Sequence, residues 1–242
     1  MSYFRYFPRV DYLFGDEQRP DQFENISIYT EIIDSIKNNV AFYTDYYIQD
    51  GERPDQVSYN LYGTATAHWT FFLMNDKIRE RGWPLTNREI YEKVQKDYSE
   101  TVLTTRTVLT DKFKVGQTVT GTTSGATGTI DHRHLDLGQL VLSGDTGTFV
   151  AGETITSLNE NDILETIVLT STAVEYLSAH HYENASGEVV DIDPTVGPGA
   201  LLTEVTYLDR YISMNDELKQ IRIIKPEIMP NITKSYREAI SS

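Results

Sequence analysis

The sequence contains no cysteine, which excludes disulfide bridges and thiolate metal sites. Its longest apolar runs, such as the FFLM at 71–74, fall far short of the roughly 20 residues of a membrane span. The N-terminal stretch MSYFRYFPRVDYLFGDEQRP is aromatic and dotted with charges, without the apolar centre of a signal peptide. We therefore expect a protein that folds in a reducing cytoplasm and has no contact with a membrane.

Basic residues are scarce. The chain has 21 Lys and Arg against 36 Asp and Glu, a formal net charge of −15. Nucleic acids and anionic lipids require a basic face, so we expect neither as a partner. Tyrosine, in contrast, is abundant at 16 residues, and its apolar ring with a polar tip suits cores, protein interfaces and sugar sites alike.

Catalytic motifs are missing as well. The sequence has no GxSxG and no P-loop, and its TSGATG turn carries no lysine to hold a phosphate. Acidic pairs are so common in this acidic chain that no glycosidase-like pair can be singled out. We therefore predict that the protein is not an enzyme and binds no cofactor.

Histidine pairs raise the question of a metal site. His132 and His134 lie two residues apart and would share one side of a strand, whereas the adjacent His180 and His181 would face opposite sides. Two imidazoles alone do not make a zinc site. We predict no metal ion.

The N-terminal region, residues 1–103, mixes helical and aromatic patterns. The segment from Ile28 to Val40 has apolar residues at helical spacing, and Tyr43–Ile48 has the composition of a strand. Three further helices are predicted: one that starts near Pro54 and ends at Gly63, one through Trp69 to Met74, and one after the TNRE capping box at 86–89.

The middle of the chain, residues 104–170, is rich in Thr, Gly and Val. Within it FKVGQTVT (113–120) reappears as FVAGETIT (149–156). Short strands repeated between glycine turns predict a small β-barrel or sandwich that forms an inserted domain.

The last region, residues 171–242, predicts a β-hairpin around the NASG turn, between 173–183 and 188–193. The segment IRII (221–224) predicts a short strand that Lys225-Pro226 ends, and a helix follows to Ile240. We expect this strand to offer an unpaired apolar edge to a partner.

The stretch YIQDGERPDQVSYNLYGTATAHWTFFLMND (47–76) resembles a LysM module, which has a strand–helix–helix–strand fold. The matching positions are Gly51-Glu52, Val57, Tyr62-Gly63, Trp69 and Asn75. LysM modules grip N-acetylglucosamine chains between the first helix and the loop beyond the second. Here Trp69 and Phe72 should instead pack against Val57, Leu61 and the strand at Tyr47-Ile48, forming a core.

A narrower resemblance covers most of 3–100 and 172–240. In the order of its motifs the chain is similar to the baseplate wedge protein 53 of contractile-tailed phages. These motifs are YFPRVDY, NISIYTEIIDSI, the stretch just quoted, Gly82-Trp83, HHYEN and MNDELKQIRIIKPEIM. The resemblance implies a structural subunit that clamps neighbouring wedges around the hub and contacts other wedge proteins and the baseplate subunits near the sheath. It implies a virion protein in multiple copies, about six, assembled in the host cytoplasm.

The sequence thus predicts an α+β protein with three parts: a LysM-like N-terminal domain (1–103), an inserted all-β domain (104–170), and a C-terminal hairpin with a helix (171–242). An alternative function is a tail component that binds peptidoglycan or chitooligosaccharide through the LysM-like module. The residues that we expect to carry the fold or an interface are Gly51, Val57, Leu61, Tyr62, Gly63, Trp69, Phe72, Asn75, Ile221, Ile223 and Pro226.

Overall fold

The computed structural model describes residues 9–15, 19–24 and 37–241. Strands are numbered in chain order. They are β1 (Arg9–Tyr12), β2 (Asp21–Glu24), β3 (Tyr43–Tyr47), β4 (Thr101–Thr105), β5 (Thr118–Gly121), β6 (Thr127–His134), β7 (Gln139–Thr146), β8 (Thr154–Leu158), β9 (Leu164–Val174), β10 (Ala179–Glu183), β11 (Val189–Val190), β12 (Thr203–Thr206) and β13 (Gln220–Ile224).

Four helices follow β3 in succession, and two more flank β13. They are α1 (Pro54–Tyr62), α2 (Trp69–Met74), α3 (Asp76–Arg81), α4 (Asn87–Asp97), α5 (Tyr207–Lys219) and α6 (Met229–Ser241). The helix predicted from Ile28 to Val40 falls mostly on residues outside the described part.

The described chain divides into two compact units. The first combines residues 1–86 with 214–242, and the second comprises residues 87–213. The three predicted domains differ from this division, and whether each of them folds independently stays a prediction.

In the first unit, strand β3 and helices α1 and α2 follow one another, and the partner strand of β3 comes from the far end of the chain. β13 pairs with β3 in antiparallel register, with Ile221 opposite Tyr46 and Ile223 opposite Thr44. The two helices cover this pair, and their shared core consists of Ile48, Val57, Phe71, Ile78, Leu218, Ile221 and Ile223.

Local sequence explains the first helix of this unit. Pro54 occupies the first turn of α1, where a missing N–H costs nothing, and Gly63 ends the helix with a positive φ of 67°. The helix buries Val57 completely. These features confirm the predicted helix and its bounds.

β13 pairs with β3 on one side and buries Ile221, Ile223 and Ile224, and a contact of its other edge with another protein stays a prediction. One packing expectation is wrong. Trp69 packs in a separate cluster with Met74 and Tyr236 rather than in the core around Ile48 and Val57. Phe71, two residues later, is the fully buried aromatic there, because a shift of two positions turns a helical side chain to the other face.

The second unit contains a closed β-barrel with the strand order β4-β7-β6-β5-β8-β9. This confirms the barrel alternative for the Thr- and Gly-rich region. The barrel has its own core, made of Leu103, Leu109, Phe113, Val119, Ala126, Ile130, Leu140, Leu142, Phe149, Ile155, Ile167 and Leu169. Closure pairs every barrel strand on both sides, so no free strand edge remains.

The FKVGQTVT and FVAGETIT repeats lie side by side in this barrel, since β5 pairs with β8. Phe113 and Phe149 are both buried. Gly116 and Gly152 both have positive φ and donate the same hydrogen bond, to the carbonyl of Ile130 at 2.8 Å and to that of Leu169 at 2.9 Å. The barrel is therefore built from two equivalent halves, as the repeat in the sequence indicates.

The barrel begins and ends at neighbouring points. β4 starts at Thr101 and β9 ends at Val174, and these two residues are partners in the β4–β9 pair. Just outside them, the Glu175 N–H donates to the Glu100 carbonyl at 2.7 Å. This geometry suits a domain inserted between adjacent positions of another fold.

The rest of the second unit is a small sheet with helices. The predicted hairpin is present as β10 and β11, with Tyr182 opposite Val190. Strand β12 pairs with the other side of β10 and was not predicted. Helix α5, also unpredicted, starts in this unit and runs to Lys219 in the first.

Candidate functional site

Asn75 ties the end of α2 to strand β13. Its side-chain amide donates to the carbonyls of Phe71 and Arg222, both at 2.8 Å, while its Oδ1 accepts the Arg222 N–H at 2.7 Å. The side chain thereby occupies the edge of β13 opposite β3. Asn75, which the LysM resemblance placed at the end of the helix pair, thus connects α2 to the sheet.

Tyr62 connects the other helix to the same strand. Its hydroxyl donates to the Ile224 carbonyl at 2.9 Å, and its ring stacks on Phe71 with centroids 6.0 Å apart. Burial raises the pKa of Tyr62 to about 12. The hydroxyl therefore stays protonated and serves as a donor at neutral pH.

The remaining predicted residues of this module divide by role. Gly51 sits in an exposed turn with a φ of 80°, and Val57 and Leu61 belong to the core below the helices. Phe72 is half-buried against Trp83, with centroids 6.0 Å apart. Pro226 lines a groove together with residues of α1 and α6.

Trp69 lines an open groove between the helix pair and α6. Its ring stacks on Tyr236, with centroids 4.9 Å apart and planes at 25°. The groove has a volume of about 510 Å³. Its walls are Leu61, Tyr62, Thr64, Thr66, Ala67, Trp69, Pro226, Met229, Pro230, Thr233, Lys234 and Glu238.

Trp83 lies just after α3 and connects that segment to the loop before α1. Its indole N–H donates to the Glu52 carbonyl at 2.6 Å, and its ring lies 5.9 Å from that of Phe71. Glu52 also holds its own loop, because its carboxylate accepts the Gln49 N–H at 2.8 Å and the Tyr46 hydroxyl at 2.9 Å. The sequence pattern includes Trp83 but does not predict its hydrogen bond to Glu52, because the two residues lie on separate loops.

Four of the five histidines meet in the second unit. His132 and His134 are in edge contact, with centroids 5.1 Å apart, as their spacing predicted. The prediction for His180 and His181 is wrong: their Nδ1 atoms lie 2.9 Å apart. A β-bulge between Ala179 and His181 breaks the alternation that would have placed them on opposite sides.

Tyr207 of α5 joins these two histidine pairs. Its hydroxyl lies 3.3 Å from His134 Nε2, and its ring meets His180 edge-on with centroids 5.0 Å apart. Burial lowers the pKa of His134 and of His180. Nearby Arg210 lowers that of His180 further, whereas Asp136 acts against the effect of burial on His134. Both imidazoles therefore favour the neutral form. Their convergence was not predicted, since nothing in the sequence places α5 beside β10.

Within the described ranges, the structure contains no group of three or more His, Cys, Asp or Glu side chains arranged to hold a metal ion. In the same part of the chain, no helix combines the length and the apolar character needed to cross a membrane.

The described geometry consists of side chains that join helices to strands, a closed barrel, and surface grooves. Residues 2–106 match the family model described as base plate wedge protein 53. The match covers less than half of the chain, and over that part it confirms the resemblance to the baseplate wedge family that the sequence indicated. No curated protein matches the chain. The resemblance over 172–240 stays a prediction.

Proposed function

We propose that the protein is a structural subunit of the baseplate wedge that clamps neighbouring wedge subunits around the hub during assembly. The observation that carries this proposal is the family match over residues 2–106. The acidic charge of −15 supports contacts with proteins rather than with nucleic acid.

We further infer that the order β3-α1-α2-β13 is a LysM-like arrangement used for protein contacts. In this reading the second strand is delivered from the C-terminal segment, and Asn75 and Tyr62 fix it in place. The cleft in which LysM modules hold sugars lies between the first helix and the loop beyond the second. The Trp83–Glu52 hydrogen bond spans that region, which favours a protein-binding role over a sugar-binding one.

The experiment that tests the proposal uses a phage whose own copy of the gene is disrupted and a plasmid that supplies the tagged chain. We expect tail assembly to depend on the plasmid, and electron microscopy of labelled tails to place the tag in a ring at the baseplate. Complete tails without the chain, or label elsewhere on the virion, would overturn the wedge role.

Binding to peptidoglycan or chitooligosaccharide is the second candidate function. It is favoured by the groove beside Trp69, where the half-buried indole shares the lining with Thr64, Thr66 and Thr233, because sugars stack on aromatic rings. Sedimentation with purified peptidoglycan separates the candidates. We expect the full chain to remain in the supernatant, and saturable co-sedimentation would support the sugar-binding role.

A further inference from the structure

The hairpin formed by β8 and β9 carries a concentration of exposed aliphatic side chains at its tip. Leu158 and Leu164 face each other across the two strands and are 57% and 60% exposed. Ile163 in the turn and the nearby Val115 are each 60% exposed. Together with three threonines of β5 and β8, Val115 and the two leucines line a depression of about 840 Å³. We call these four aliphatic residues the hairpin-tip patch.

The barrel itself provides a control for this patch, because its other half has the same construction. The two halves can be aligned through their strand pairs: Val119 lies opposite Gly128 in the first half, and Ile155 lies opposite Ile167 in the second. The position of Leu158 therefore corresponds to Thr122, that of Leu164 to Gly125 and that of Val115 to Ala151. Ile163 lies in a hairpin that is three residues longer than its counterpart, because Ile155 and its partner Ile167 are 12 positions apart and Val119 and Gly128 are 9.

The corresponding turn in the first half is polar, and a carboxylate from another segment accepts hydrogen bonds from its backbone. The buried Glu153 carboxylate accepts the N–H groups of Thr123 and Ser124 at 3.1 and 3.0 Å and the Val150 N–H at 2.6 Å. The barrel fold can thus be completed by small and polar residues at this position. Aliphatic residues at the other tip are not required for folding, and exposing them to water is unfavourable unless a partner covers them.

A closed barrel restricts how a partner can bind. Without a free strand edge, strand addition is not available to it, so a partner must contact side chains on the outer surface. The hairpin-tip patch is where those side chains are apolar and lie around a depression, the shape that accepts protruding side chains.

Charge at the border of the patch indicates the kind of partner. Between Leu158 and Leu164 the turn has two acidic residues, Glu160 and Asp162, and no basic residue. Lys114 at the edge is already paired with Glu160 at 3.0 Å. Two copies of this chain that met through the same patch would bring their acidic turns together, which is unfavourable at a net charge of −15 each.

We propose that the hairpin-tip patch docks against an aliphatic surface bordered by lysine or arginine on another protein of the baseplate. This inference rests on the proposed baseplate role and names the surface of the barrel that takes part in it. Shape and burial give the contact its strength, and the acidic turn selects a basic border.

The test uses the full-length chain with Leu158→Thr and Leu164→Thr together, because threonine keeps the strand preference and removes most of the aliphatic surface. A matched control carries Val196→Thr and Leu201→Thr, which are 78% and 90% exposed in a loop of the same unit. Each is supplied from a plasmid to the gene-disrupted phage, and its amount in purified virions is measured. We expect at least a tenfold loss for the hairpin variant, an unchanged amount for the control, and equal melting temperatures.

A photo-crosslinking amino acid at position 164 identifies the surface that covers the patch. We expect crosslinks to a different virion protein, at a peptide with Lys or Arg beside aliphatic residues. Glu160→Lys with Asp162→Lys should reduce that crosslink, and the reduction should diminish at high salt.

Two outcomes would overturn the proposal: normal incorporation of the hairpin variant, or crosslinks that join two copies of this chain. Each differs from failure of the baseplate role itself, in which even the unaltered chain would be absent from the baseplate.

Discussion

Asn75 and Arg222 are joined by two hydrogen bonds that run in opposite directions, between the side-chain amide of one and the backbone of the other. An asparagine side chain thus pairs with β13 as a neighbouring strand would. The first unit depends on this contact because β13 comes from the far end of the chain, and the cost of closing so long a loop must be offset by the contacts that the strand makes.

Replacement of Asn75 by alanine should therefore destabilise the first unit by about 2–3 kcal/mol, since three hydrogen bonds are lost. Urea unfolding followed by tryptophan fluorescence measures the change. Asn60→Ala, at an exposed position of α1, is the matched control and should change stability by less than about 0.5 kcal/mol.

Asn75→Asp provides a sharper test of the same contact. Aspartate keeps the acceptor for the Arg222 N–H but turns a carboxylate toward the carbonyls of Phe71 and Arg222. It should be less stable than the alanine variant at neutral pH and should recover when the carboxyl is protonated at low pH. An aspartate variant as stable as the unaltered chain would contradict the assigned hydrogen bonds.

Replacing Phe71 or Trp69 by alanine should lower the free energy of unfolding by different amounts. Phe71 is fully buried, so Phe71→Ala should cost about 3–5 kcal/mol. Trp69 stacks on Tyr236 at the side of an open groove, so Trp69→Ala should cost only about 1–2 kcal/mol.

Chitooligosaccharide binding measured on the same Trp69→Ala protein distinguishes packing from ligand recognition. We expect no binding by either the parent or the variant. A parent that binds and a stable variant that does not would show instead that the groove is a sugar site.

The segment from 100 to 175 should fold as a separate domain, because its barrel is closed and has its own core. We expect the isolated segment to unfold cooperatively and to show the slow amide exchange of a closed sheet at Leu142 and Ile155. A disordered segment would contradict the predicted inserted domain.

The reciprocal experiment removes the barrel from the full chain. Replacing Thr101–Val174 by Gly-Ser-Gly joins Glu100 to Glu175, whose backbones are already hydrogen-bonded. The first unit should keep its melting temperature within a few degrees, as followed by the fluorescence of Trp69 and Trp83, which both lie in it. Loss of that unit's cooperative unfolding would show that the barrel is required for the rest of the chain.

Local signals in the sequence predicted the elements that depend on neighbouring residues. Pro54 and Gly63 set the bounds of α1, and the Phe-Gly repeats located the two halves of the barrel. Long-range packing was predicted less well. Aromatic content alone did not show that Phe71 rather than Trp69 is the buried residue, because the two differ only in helical phase.

The sequence also did not predict the pairing of strands that are far apart in the chain. The partner of β3 lies beyond the whole second unit, and no local pattern specifies such a pairing. The histidine cluster was missed for the same reason, together with the bulge in β10.

The histidines around Tyr207 should make the stability of the second unit depend on pH. Burial lowers the pKa of both His134 and His180, so the unfolded chain, whose histidines titrate near about 6.5, takes up protons first as the pH falls. Stability is therefore greatest above that range and decreases as the pH drops from about 8 through 6, until the folded-state pKa is passed.

The groups that face the His134 and His180 rings determine how the pH dependence of stability has to be measured. They are His132, His181, Tyr207 and Arg210, with Asp136 and Glu175 as the nearby carboxylates. Because several of them titrate, the informative quantity is the difference between the unaltered chain and His180→Gln at each pH. Glutamine cannot gain a proton, so the variant should lose less stability over this range. His68→Gln, at the histidine outside the cluster, should follow the unaltered chain. Parallel curves for all three proteins would show that burial of His180 does not disfavour its charged form.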